Sequence, residues 1–236
     1  MSVKGTRTVD LVANLLRSQI LSGHYAPHDR LPAERKLAES LDVNRLTLRA
    51  ALAKLESEGL IAARQGRGVT VLEWRSTGTL GLIPHLIAQG DDALLGSFLQ
   101  LRRAVAVEAV AAATIKATDE DLIELSELAD RLSTETDPDR LSQGDLALTR
   151  RILRLADNLP MELLYNSVSD VYAVRPELVS VMYADSDAVR ASFPLVVALL
   201  RSRDPETARS VVRAALEAID AASLAALTTT ESPENS

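Results

Sequence analysis

The chain has 236 residues, 47% hydrophobic and 25% charged, with 10 glycines and 9 prolines, enough apolar material to fill two cores and too much for a disordered or low-complexity chain. Cysteine is absent, which excludes disulfides and thiolate metal sites and suits a reducing compartment. The net charge of −7 argues against nonspecific coating of nucleic acid, but it is unevenly spread: residues 1–76 carry 12 Lys/Arg against 8 Asp/Glu, and the remainder 14 against 25.

In chain order, residues 8–22 predict an amphipathic helix with Leu11, Val12, Leu15, Leu16 and Ile20 inward, ending at Ser22-Gly23 before a loop through Pro27. Pro32 suits a helix start, and residues 33–41 follow as a helix with Leu37, Ala38 and Leu41 on one face. Asp42-Val43 is the turn. Asn44 is the N-cap of a second helix whose stripe of Leu48, Ala51, Leu52 and Leu55 runs until Gly59 stops it. Residues 60–63 and 69–72 then pair across the loop Arg64-Gln65-Gly66-Arg67-Gly68.

Helix, turn, capped helix and basic hairpin in that order describe a winged helix-turn-helix. An amphipathic helix bearing two arginines is, alone, an ordinary solvated surface helix; the ordered set is far rarer by chance. A recognition helix enters the major groove by its N-terminal end, where Arg pairs with guanine. Arg45 and Arg49 lie one turn apart off the buried stripe, with Asn44 and Thr47 on the same entering turn, while Arg64 and Arg67 can reach phosphates or a minor groove.

Residues 74–78 are a polar linker around the only tryptophan, Trp74, which either caps a hydrophobic junction or stacks on a base. From Thr79 onward every segment has helical period: 94–115, 119–132 opened by a capping box at Thr118, 139–156, 160–174, a short piece at 177–182, 187–201 and 205–227. Pro194 either kinks its helix or marks its true start. Residues 228–236 are a polar tail expected to be disordered. The fold class is therefore mainly α: a winged helix-turn-helix with a small β-hairpin wing over residues 1–73, the linker, and an all-α antiparallel helical bundle over 79–227. With no apolar N-terminal run, and with the longest apolar stretch, 104–115, broken by Glu108, neither a signal peptide nor a membrane span is expected and the chain should stay in the cytoplasm.

Leu31-Pro32-Ala33-Glu34-Arg35, Leu37-Ala38, Val43, Arg45, Thr47, Arg49, Leu52, Leu55, Gly59-Leu60, Gly66 and Gly68 resemble the DNA-binding domain of the GntR family of bacterial transcription regulators. The resemblance implies operator contact from Arg35, Asn44, Arg45, Thr47 and Arg49, with Gln65 and Gly66 at the wing tip; the wing's own charge adds Arg67 as a candidate contact. In the fatty-acid-responsive FadR branch the positions of Asn44 and Leu46 are commonly threonine and that of Gln65 histidine, departures that leave room for a different operator sequence. The bundle is similar to the FadR subgroup's effector domain through Leu101-Arg102 and Glu108, Asp145, the run from Ala156 to Pro160, and the run from Arg203 to Arg209. Many relatives hold a divalent metal there with one Asp and three His. Asp145 matches the Asp, but the histidine positions are Thr149, Phe193 and Ala215, and the only histidines in the chain are His24, His28 and His85. No metal or other cofactor is expected, and Asp145 should be an ordinary exposed or hydrogen-bonded carboxylate.

The metal-free pattern, with Ser169-Asp170-Val171-Tyr172, is similar to the acyl-CoA-responsive members. It implies a long-chain acyl-CoA or another lipid-like acid as effector, although apolar helix faces line every bundle and do not by themselves separate a tunnel from a core. Arg102, Tyr172, Arg175 and Tyr183 are the candidate effector residues, the arginines because an anion inside a bundle needs a paired cation. Each has a plainer role open to it: core packing for Tyr172, or pairing with Glu108 or Glu177 for the arginines. The expected partners are double-stranded DNA carrying a near-palindromic operator, a small effector and a second copy in a homodimer, with no membrane. An enzyme acting on CoA thioesters, or a protein-docking winged helix, are the rivals; the first lacks any acid-base or covalent constellation in the bundle, and the second predicts no salt-dependent DNA binding.

Overall fold

The computed structural model describes residues 3–64, 68–90, 92–174, 179, 182–183 and 186–230. The chain divides into two compact units between Leu86 and Ile87.

In the first unit, helices α1 (Val3–Leu21), α2 (Glu34–Ser40) and α3 (Arg45–Ser57) precede an antiparallel hairpin of β1 (Ile61–Arg64) and β2 (Gly68–Val71), paired Ile61 to Val71 and Arg64 to Gly68. The α3 stripe is the one the period predicts: Leu48, Ala51, Leu52 and Leu55 are buried. On α1 the expected face is wrong in part. Leu11 and Leu15 are 62% and 46% exposed, and the buried row is Val9, Val12, Ala13, Leu16 and Ile20. That row follows the 3.6-residue repeat, which places Leu11 and Leu15 round the helix from it. Asp42, at φ +50, makes the turn between α2 and α3.

Two features lie outside sequence periodicity. Residues 28–31 run against β2: the amides of His28 and Leu31 donate to the carbonyls of Val71 and Val69, and that of Val71 to Asp29. Residues 74–82 fold back onto the first unit instead of forming an open linker. They contain the short helix α4 (Trp74–Thr77) and a 3-10 turn at Leu80–Leu82, with the Thr79 amide donating to the Glu58 carbonyl at 3.1 Å and Leu82 buried in the core. Trp74 packs against that core with the Arg75 guanidinium 5.0 Å over its ring, which is the junction reading of this residue.

The second unit is helical throughout its described residues. The helix α5 (Ile83–Ile87) belongs to the first unit except for its last residue; in the second, α6 (Asp92–Lys116) forms the centre, contacted by α8 (Pro138–Ala156), α9 (Leu159–Val174), α10 (Ser186–Ser202) and α11 (Pro205–Thr230), and α7 (Asp119–Ser133) packs on α8 and α10. Alanines 109, 111 and 113 are buried along α6, and their short side chains allow neighbours to approach from several sides. The capping box is present, Thr118 accepting from the Asp121 amide while Asp121 accepts from the Thr118 amide. Pro194 lies inside α10 and does not start it. α11 continues to Thr230, past the expected start of the tail at residue 228; residues 231–236, and most of the short helical piece expected at 177–182, lie outside the described residues. Among the described residues no helix is long and apolar enough to cross a membrane.

Candidate functional site

Two sites emerge, one in each unit. In the first, Asn44 caps α3 by accepting the Thr47 amide at 2.8 Å, which fixes where the helix begins and what its first turn presents. That turn contains no carboxylate and starts with Arg45, the reverse of what the helix dipole favours, but suited to meeting a phosphate or an electronegative base edge. Arg45 and Arg49 are each about three-fifths exposed, and both reach one carboxylate on α2: Arg49 Nε donates to Glu34 Oε2 at 2.7 Å, and Arg45 Nη2 lies 3.8 Å from it. Arg35 is also exposed and pairs with Glu39 at 3.2 Å.

The structure thus gathers Arg45 and Arg49 on one side of α3, with Asn44 and the half-buried Thr47 in the same turn. Sequence reasoning missed Glu34 as their common anchor, although it sits in the motif that carried the resemblance. Gln65, Gly66 and Arg67 lie outside the described residues.

The second site is an apolar cavity of about 120 Å³ among α6, α8, α10 and α11, lined by Val110, Leu148, Ile152, Met182, Phe193 and Val212 with others. An adjoining lobe of about 100 Å³ shares Arg102, Ala106, Asp145, Thr149, Tyr183 and Leu216 with it and adds Tyr165 and Tyr172. Arg102 is 8% exposed. Its Nη2 donates to Asp220 Oδ1 at 2.6 Å and its Nη1 to the Tyr172 hydroxyl at 3.3 Å, while Arg103 Nη1 donates to Asp220 Oδ2 at 2.6 Å. Burial raises the Asp220 carboxyl against the pull of the two guanidiniums. The Nε of Arg102 is buried without a hydrogen-bond partner among the described residues, a costly arrangement.

Across the lobes, the Tyr183 hydroxyl donates to Asp145 Oδ2 at 2.5 Å. Burial pushes the Asp145 carboxyl above the usual carboxylate range, against the opposing pull of Tyr183 and Arg102. Burial likewise raises the phenols of Tyr165 and Tyr183, which therefore stay protonated.

Of the four expected effector residues, Arg102, Tyr172 and Tyr183 meet here; Arg175 lies outside the described residues. The plainer pairing for Arg102 is not the one found, because Glu108 pairs with Arg209. Asp220 was missed, yet it had a signal: it sits on the α11 row with Val212, Leu216 and Ser223, where a carboxylate demands a buried cation. The positions matching the relatives' metal ligands, Asp145, Thr149, Phe193 and Ala215, all line this cavity. They do not fit a metal: a hydroxyl, a phenyl ring and a methyl replace three imidazoles, and the remaining carboxylate is hydrogen-bonded to a tyrosine. Among the described residues no three His, Cys, Asp or Glu side chains are grouped to hold one.

Residues 8–71 match the model of bacterial regulatory proteins of the gntR family, and residues 97–218 match the FCD domain. The chain is a GntR-family regulator with an FCD domain. The regulator is 28% identical over 212 residues to the helix-turn-helix transcriptional regulator Rv0494 of Mycobacterium tuberculosis, covering 90% of this chain and 88% of that protein. It is 35% identical to a putative L-lactate dehydrogenase operon regulatory protein of Escherichia coli, over 67% of this chain and 62% of that one. Among solved structures, Lar of Listeria monocytogenes superposes with a TM-score of 0.60 at 18% identity, covering 94% of the regulator and 97% of Lar, a likeness of fold. Its two units are accordingly a DNA-binding domain and an effector-binding FCD domain.

Proposed function

We propose that the regulator is a homodimer that binds a near-palindromic operator through α3 and the wing, and that a compact, largely apolar acid seated in the FCD cavity lowers its operator affinity. The DNA part rests on one observation: Arg45 and Arg49 project together from the first turns of the recognition helix, tied to each other only through Glu34. Arg35, Asn44 and Thr47, and at the wing Gln65, Gly66 and Arg67, complete the reading surface. The effector part rests on the buried Arg102 guanidinium in the lining of both lobes, among largely apolar walls: it offers a charged donor to a carboxylate, and Tyr172 and Tyr183 offer hydroxyls beside it. The two lobes are small, which favours a compact acid over a long-chain acyl-CoA.

In vitro selection from a random duplex pool tests the DNA reading. An enriched, near-palindromic sequence bound with a steep salt dependence, and lost by the Arg45→Ala/Arg49→Ala double variant, is the expected result; a pool that does not enrich overturns it. Native mass spectrometry of protein purified with its cellular ligand tests the rest, counting subunits and weighing any co-purified molecule. An acyl-CoA-sized mass would replace the compact acid with that larger class.

A further inference from the structure

We propose that Leu46 reads a thymine in the operator by covering its C5-methyl group. The inference rests on the operator-binding reading above. Leu46 is 79% exposed, the most of any large apolar side chain among the described residues. It stands in the first turn of α3, between Arg45 and Thr47, about 160° round the helix axis from the centre of the buried stripe at Leu48. It therefore points away from the core on the surface that a recognition helix turns to the groove floor.

The neighbouring chemistry selects the occupant. Arg49 is one turn on from Leu46 and Arg45 is beside it, both held by Glu34, so the apolar side chain is flanked by charges complementary to nucleic acid. A second protein apolar surface would have to bury two guanidiniums that share a single carboxylate, leaving one positive charge uncompensated at a cost of several kcal/mol. The major groove instead offers acceptors for the arginines and, next to them, one apolar group, the thymine methyl. In that setting Leu46 supplies discrimination against cytosine, which lacks the methyl, at a position the arginines do not read.

The test uses the full chain and the operator obtained by selection. Each thymine in turn is replaced by deoxyuridine, which removes only the methyl, and affinity is measured by fluorescence anisotropy for the regulator and for Leu46→Ala. One thymine position per recognition helix should weaken binding about fourfold, the worth of one buried methyl. Leu46→Ala should show a comparable loss on the unmodified operator and become indifferent to deoxyuridine at that same position, while retaining its circular dichroism spectrum and melting temperature. The inference is overturned if no thymine replacement matters to the regulator, or if every one that matters does so equally for Leu46→Ala. Failure to select any operator sinks the operator-binding reading and this inference with it; a selected operator whose thymines are indifferent to Leu46 sinks this inference alone.

Discussion

Arg45 and Arg49 compete for one partly exposed carboxylate, and exposed ion pairs are worth at most about 1 kcal/mol. Glu34 thus orients the arginines without holding them against DNA. Arg45→Ala and Arg49→Ala should each cost about 1–3 kcal/mol of specific affinity, the value of a bidentate base contact, and relax selectivity at one base position. Arg67→Ala, at the wing, should instead weaken all sequences alike and reduce the salt slope by about one. Titrations of selected and scrambled duplexes at several salt concentrations separate the two patterns. In the FCD cavity, folded Asp145 keeps its proton to higher pH than the unfolded chain does. Its contribution to stability is therefore lost as pH rises from the unfolded carboxyl's range through the folded one. Asp145→Asn still accepts from Tyr183 and removes that penalty, so its melting temperature should exceed the parent's by a few degrees at neutral pH, with the gain shrinking toward pH 4. Scanning calorimetry across that range checks it, and a variant less stable at neutral pH would contradict it.

Elements whose ends are fixed by local chemistry respond to local changes. Gly59 ends α3 at φ +76, and a Cβ there would lie 2.0 Å from the Thr77 carbonyl oxygen, whereas Gly23, at φ +82, faces open space. Gly59→Ala should lose at least about 2 kcal/mol in urea unfolding, and Gly23→Ala, carrying only the backbone strain, about half of that or less. The same contrast explains what was legible in the sequence. Helices with caps and periodic stripes, such as α3 between Asn44 and Gly59 or α7 after Thr118, could be read almost to the residue, because side chains carry the information. The pairing of residues 28–31 with β2 and the fold-back of residues 74–82 could not, because they are held largely by backbone hydrogen bonds such as Thr79 to Glu58, which leave no periodic trace. On α1, Leu11 and Leu15 also have helical spacing with Val12, Leu16 and Ile20, so the period alone does not say which edge of the apolar arc is buried; the structure buries the edge carrying Val9 and Ala13. In the candidate sites, Arg45, Arg49, Arg102 and Tyr183 were legible as charges or polar aromatics off or inside apolar rows. Glu34 and Asp220 were not singled out because each matters through a partner distant in sequence.

At the scale of the whole molecule, the DNA-binding unit and the FCD domain each have a buried core of their own. A ligand in the FCD cavity therefore does not act by completing the core under α3. It reaches operator affinity only by binding two states of the regulator unequally, and that coupling is reciprocal. If the ligand weakens operator binding by a given factor, operator must weaken ligand binding by the same factor, commonly about 5- to 150-fold. Calorimetric titration of the ligand into free and operator-saturated regulator should return matching factors, and Arg102→Leu, which removes the cavity's charged donor, should lose ligand binding while keeping operator binding. A ligand that releases operator yet binds free and operator-bound regulator equally would break the linkage and place its effect on DNA outside the cavity.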